Sequence, residues 1–167
     1  MPAILQKHPQ TILVLAGACT DKSYGVEILQ QIGRLGLESS VLLTGGLPPG
    51  DPRLIGLFQE AAMVLLPSIS ETFGLVILEA WAAGAVPVSS RTSGAKSLIV
   101  QGENGFLFDL DNPQTYLDAV DCLLKKRDLR SQLAAAGQRV VQTEYETSVI
   151  AGRVKQLYEE LVRLRHN

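Results

Sequence analysis

The sequence predicts a doubly wound α/β domain: a parallel sheet with helices on both faces. Three observations predict it. Short β-branched or leucine-rich runs alternate with longer stretches of helical periodicity. The strand–helix–strand unit recurs at roughly 20–25 residues, as right-handed crossovers do. The first such run, from Thr11 to Gly17, is continuously apolar, as a strand buried on both faces is.

The elements follow in order. Thr11–Gly17 is the first strand, ended by glycine. Tyr24–Leu35 is a helix with Val26, Ile28, Leu29, Ile32 and Leu35 at three- and four-residue spacing, and Gly36 stops it. Ser40–Leu43 is a second strand, broken by Gly45-Gly46. Leu47–Asp51 is a loop, because its prolines and glycine forbid regular structure. Pro52–Ala62 is a helix with proline in its first turn. Met63–Leu66 is a third strand, ended by Pro67. A helix from Leu75 to Ala83 follows, stopped by Gly84. Val86–Ser89 is a fourth strand. A turn containing Gly94 and a short helix lead to a fifth, Gly105–Phe108. Helices close the chain at about Pro113–Lys125, Asp128–Gln142 and Thr147–Arg165.

In such sheets ligands bind outside the carboxyl ends of the strands. The loops Ala18–Ser23, Gly45–Asp51, Pro67–Gly74 and Ser90–Gly94 all leave carboxyl ends, so they are expected to share one rim.

Composition bounds the rest. The 167 residues suit one domain, 1–167, with no linker or internal repeat. An apolar content of 46% excludes disorder. Fifteen Lys and Arg against 17 Asp and Glu give a net charge of −2, which disfavours nucleic acid as a partner. No apolar run approaches the ~18 residues of a membrane span, and no secretory signal is read at the N-terminus. Cys19 and Cys122 match no metal or redox spacing and read as reduced thiols of a cytoplasmic protein. The only histidines, His8 and His166, lie near the ends, so no internal histidine base and no His-rich metal site is available. Chemistry must therefore come from carboxylates, backbone amides or another chain.

One charge stands out. Between Thr72 and Ser90 the only charged residue is Glu79, within the run Leu75–Ala83. A helix apolar all round is expected to be buried, and an unpaired carboxylate there needs a partner. Glu79 either caps or pairs within the protein, or faces the rim and accepts hydrogen bonds from ligand hydroxyls. A carboxylate offers two acceptors and no donor, which suits a cis-diol such as a ribose. Glu71 stands eight residues earlier, before the helix, where it reads as a capping acid or a second site carboxylate. The amides of Phe73, Gly74 and Leu75 open the helix, and such a terminus receives anions or hydroxyls.

The stretch Glu71–Val88, with its two acids eight residues apart, resembles the E-x7-E signature of retaining GT-B glycosyltransferases of family four. Leu66-Pro67-Ser68 before it and Gly102–Phe108 after it match the same family's order. The resemblance covers roughly residues 9–160. It implies a Rossmann-like domain, one half of a GT-B fold, similar to the carboxyl-terminal donor-binding half. It further implies that Glu79 holds the ribose hydroxyls of a nucleotide-sugar and that Glu71 is the catalytic carboxylate beside the anomeric carbon. Phe73, Gly74 and Leu75 would meet the sugar or diphosphate, and Gly45, Gly46 and Leu47 the base. The donor would be UDP-, GDP- or ADP-linked and the anomeric configuration kept. No metal or other cofactor is expected.

The sequence departs from the family pattern in two places. The family's Arg and Lys on the first strand and helix of this domain, which grip the diphosphate, are absent. They and the acceptor-binding domain are expected outside the 167 residues, in an excised piece or a split enzyme. Alone, this half is expected to bind donor weakly, transfer nothing and self-associate weakly through its uncovered face. Second, Ser93–Ser97 replaces the family's Gly-Gly and Pro-Glu, with Ser97 at the acid's position. Arg91 is the nearest candidate cation for a phosphate, or else a surface ion pair. The alternative to an enzyme half is a non-catalytic module that binds a nucleotide-sugar or a protein. A receiver-like signalling domain is disfavoured, because no aspartate cluster follows the first strand.

Overall fold

A computed structural model describes residues 1–48 and 50–166. Pro49, within the expected loop, and Asn167 lie outside the described residues, as does the side chain of His166. The order is α1 (Pro2–Lys7), β1 (Leu13–Ala16), α2 (Lys22–Arg34), β2 (Val41–Gly45), α3 (Pro52–Glu60), β3 (Val64–Leu66), α4 (Leu75–Ala83), β4 (Pro87–Ser90), α5 (Ser93–Leu98), β5 (Phe106–Phe108), α6 (Pro113–Lys125), α7 (Arg127–Val140), a π-turn (Val141–Tyr145) and α8 (Thr147–His166).

All strand pairs are parallel and helices cover both faces, as the doubly wound reading expects. The strands form two sheets rather than one: β1 pairs with β2, and β3, β4 and β5 pair in that order. β1 and β3 are therefore both edges. An open cavity of about 1880 Å³ lies between them, walled by Leu13–Gly17 on one side and Val64–Pro67 on the other.

Local chemistry sets the helix starts. Asp21 caps α2 by accepting from the amides of Ser23 at 2.9 Å and Tyr24 at 3.2 Å. Those bonds and the Ser23 hydroxyl hold its carboxyl below the usual range. Asp51, expected in a loop, caps α3 by accepting from the Arg53 amide at 2.8 Å. Thr92 caps α5 and Asn112 caps α6.

The core gathers around the three-stranded sheet. Ile77 and Trp81 of α4 pack with Ala95, Leu98, Ile99 and Leu107 on one side. Val86, Val88, Phe108, Leu123 and Leu133 fill the other. Trp81 is fully buried, and its indole N–H donates to the Asn104 carbonyl at 2.7 Å. The reading of Trp81 as a packing residue is met.

Candidate functional site: the rim around the start of α4

The nine residues of α4 match the expected helix, Leu75–Ala83. Its surroundings do not match. Ile77, Ala80 and Trp81 are buried, while Leu75, Val76, Glu79 and Ala82 are exposed. Glu79 is thus not a buried acid, which corrects the expectation drawn from an all-apolar helix. One face of α4 opens onto the cavity between the sheets, and Glu79 and Val76 line it there. Glu79 has neither a hydrogen bond nor an ion pair among the described residues, so its oxygens are available to a ligand.

Gly45, at the carboxyl end of β2, lines the same cavity, as do Ala16, Gly17 and Ala18 after β1 and Pro67 after β3. Gly46 packs on that rim, since a Cβ there would lie 3.1 Å from the Ala18 Cβ. Leu47 is half-buried beside it and does not line the cavity. Strand-end loops therefore meet at one rim, with Glu79 among them.

Glu71, Phe73, Gly74 and Leu75 form one turn ahead of α4 and lie outside the cavity lining. Glu71 Oε1 accepts from the amides of Phe73 at 3.2 Å and Gly74 at 3.1 Å. Two of the three amides read as open to a ligand are thus taken by Glu71 itself. The amides of Leu75 and Val76 have no acceptor among the described residues, and they point out of the positive end of the helix. Leu75 and Glu79 are four residues apart, neighbours on one helix face about 6 Å apart along the axis.

The loop from β3 to α4 is fastened by residues that sequence reasoning did not place in the site. Ser90 Oγ donates to the Ser68 carbonyl at 2.5 Å, and Ser89 Oγ lies 3.4 Å from the Leu66 carbonyl. Ser93 Oγ donates to the Glu71 carbonyl at 3.1 Å and the Gly94 amide to the same oxygen at 2.8 Å. The signal was present: Ser89 and Ser90 end an otherwise apolar strand, and buried hydroxyls need partners.

Other candidates are accounted for locally. Arg91 Nε pairs with Asp109 at 2.9 Å, both exposed. Ser97 Oγ donates to the Gly94 carbonyl at 2.7 Å. Cys19 Sγ donates to the Asp21 carbonyl at 2.9 Å. Among the described residues no group of three or more His, Cys, Asp or Glu could hold a metal, and no helix is long and apolar enough to cross a membrane.

Comparison with known proteins supplies the family. A family model described as Glycosyl transferases group 1 matches residues 1–140. D-inositol 3-phosphate glycosyltransferase of Corynebacterium jeikeium (strain K411) is 32% identical over 168 residues, covering 98% of this chain and 39% of the relative. A glycosyltransferase of Methanocaldococcus jannaschii, MJ1607, is 31% identical over 159 residues, again covering 39% of its length. The chain thus spans about two fifths of the curated relatives it matches. Among solved structures, Anabaena Alr3699/HepE in complex with UDP and glucose superposes with a TM-score of 0.81 at 28% identity, over 95% of this chain and 43% of that one. The C-terminal domain of a group 1 family protein, LpcC of Francisella tularensis, superposes with a TM-score of 0.77 at 26% identity, over 87% of this chain and 75% of that domain. On the match over residues 1–140 and these relatives, the chain belongs to the glycosyl transferases group 1 family.

Proposed function

We propose that this chain is the donor-binding half of a retaining glycosyltransferase that moves a sugar from a nucleotide-sugar to an acceptor. The observation that carries the reading is the placement of Glu79: exposed, without a partner among the described residues, at a cavity rim built from strand carboxyl ends. Its two oxygens accept from the ribose 2′- and 3′-hydroxyls. The base lies against the rim at Gly45 and Gly46. The diphosphate meets the free amides of Leu75 and Val76, where the helix dipole favours negative charge.

Glu71 acts beside the anomeric carbon. Phe73 and Gly74 hold its Oε1, leaving Oε2 to face the sugar. As the nucleoside diphosphate departs, negative charge grows on the leaving oxygen and positive charge on the sugar. The amides at the start of α4 stabilise the first, and the Glu71 carboxylate the second. The leaving phosphate oxygen keeps the bonding pair and takes the proton of the acceptor hydroxyl, whose oxygen forms the new bond on the same face. No metal is assigned to these steps.

The acceptor site and the cations for the diphosphate are assigned to polypeptide outside these residues, so the chain alone binds donor weakly and transfers nothing. We place it in the cytoplasm, which suits the free thiols of Cys19 and Cys122. Uridine is the first base to test, because a structural neighbour at 28% identity was solved with UDP and glucose. The test is calorimetric titration of the chain with UDP, GDP, ADP and their glucose conjugates. One nucleotide is expected to bind, and Glu79→Ala to weaken it by about 10- to 100-fold, the worth of a lost charged hydrogen bond. Equal binding by wild type and variant would remove Glu79 from the site.

A further inference from the structure

We propose that Gly94 is a positioning residue of this donor site, acting through the Glu71 loop; the inference rests on the donor-binding reading above. Gly94 lies in the first turn of α5 and is buried. It is not among the glycines with positive φ, so backbone conformation alone does not require glycine there. Space does. A Cβ at this position would lie 2.7 Å from both the backbone N and the carbonyl carbon of Phe73, and 2.8 Å from its oxygen. Those are main-chain atoms, which cannot rotate away as the end of a side chain can.

The close approach carries a hydrogen bond. The Gly94 amide donates to the Glu71 carbonyl at 2.8 Å, and Ser93 Oγ donates to the same oxygen at 3.1 Å. The start of α5 thus grips the main chain of Glu71. On the other side, the Glu71 carboxylate is gripped by the amides of Phe73 and Gly74. The acid is fixed through both its backbone and its side chain, and Gly94 is the contact that sets the height of the loop. Two anchors further back, at the Leu66 and Ser68 carbonyls, stop the loop from absorbing a shift by sliding toward β3.

Any side chain at position 94 must therefore lift Phe73 and tilt the Phe73–Gly74 amides that aim Glu71. Glu79, a full turn into α4, is exposed on the cavity wall and shares none of these contacts. The two ends of the donor should respond differently: the sugar end to position 94, the nucleoside end to position 79. Displacement of a reacting group by about 1 Å can cost on the order of 100-fold in rate, so a small lift is enough to matter.

The test is binding of UDP and of UDP-glucose to wild type, Gly94→Ala and Ser93→Ala, with amide exchange of Phe73 and Gly74 read in each. Wild type is expected to bind UDP-glucose more tightly than UDP. Gly94→Ala should bring the two affinities within twofold of each other and speed exchange at Phe73 and Gly74. Ser93→Ala, which removes one donor without adding bulk, should lower the UDP-glucose preference at least twofold. It decides the matter if Gly94→Ala does not fold. An unchanged preference in both variants overturns the inference, as does an equal loss for both ligands, which would mark a merely structural role. Absence of binding of either ligand to wild type instead overturns the donor-site reading and the inference with it.

Discussion

Asp121 shows how single residues fasten this molecule. Its carboxylate accepts from Lys125 Nζ at 2.7 Å on its own helix and sits 2.8 Å from His8 Nε2, just after α1. The lysine and the histidine ring together hold its carboxyl down, from the ordinary 3.8 to about 2. A depressed carboxyl stabilises the fold above its unfolded value, and that contribution is lost as pH falls through the folded one. The α1–α6 contact should therefore be intact above about pH 4 and weaken toward about pH 2. Urea midpoints measured from pH 6 to pH 2 should fall less steeply in Asp121→Asn; parallel curves would refute the assignment. Gly74 makes a second residue-scale case. Its φ is +97°, and a Cβ there would meet Ile77 Cδ1 at 2.9 Å and Leu98 Cδ1 at 3.2 Å. Gly74→Ala should cost about 1–2 kcal/mol from the left-handed backbone alone, with crowding added. A urea midpoint equal to wild type would contradict this.

At the scale of elements, α4 and α7 meet at one point of close approach. A Cβ on Gly137 would stand 2.0 Å from Trp81 Cδ1, so this glycine lets the two helices touch. Gly137→Ala should destabilise by about 1–3 kcal/mol through overpacking. It should also shift the emission of Trp81, the only tryptophan, to longer wavelength. Native emission with wild-type stability would show that the helices separate freely. Helix ends were well legible in the sequence, because glycine and proline punctuate them: α4 and α6 have the expected bounds. The expected helix Asp128–Gln142 instead ends at Val140 and gives way to a π-turn, which no 3.6-residue period announces. Glu79 failed more instructively. Apolar neighbours along the chain implied burial, yet an apolar helix face left open to a cleft has the same sequence as one packed on all sides. The spacing of Glu71 and Glu79 was legible; the hold of Ser90, Ser93 and Gly94 on the loop was not, since it depends on contacts about 22 residues away.

The whole molecule exposes 11037 Å², against about 8,000 Å² for a compact chain of its mass. The excess has identifiable sources. β1 and β3 face a cavity instead of each other, and α8 presents Val154, Leu157, Tyr158 and Leu161 to solvent. Apolar surface left uncovered seeks cover. Sedimentation velocity should therefore show concentration-dependent association, reduced by Leu157→Glu; a monomer at all concentrations would contradict it. The proposed function rests on the pairing of Glu79 with a nucleoside diol. Its most direct test is a four-way comparison of UDP and 2′-deoxy-UDP binding to wild type and Glu79→Ala. Loss of the 2′-hydroxyl should weaken binding about tenfold or more in wild type and have little effect once the carboxylate is gone. If deletion of the hydroxyl costs the same in both proteins, Glu79 does not hold the ribose.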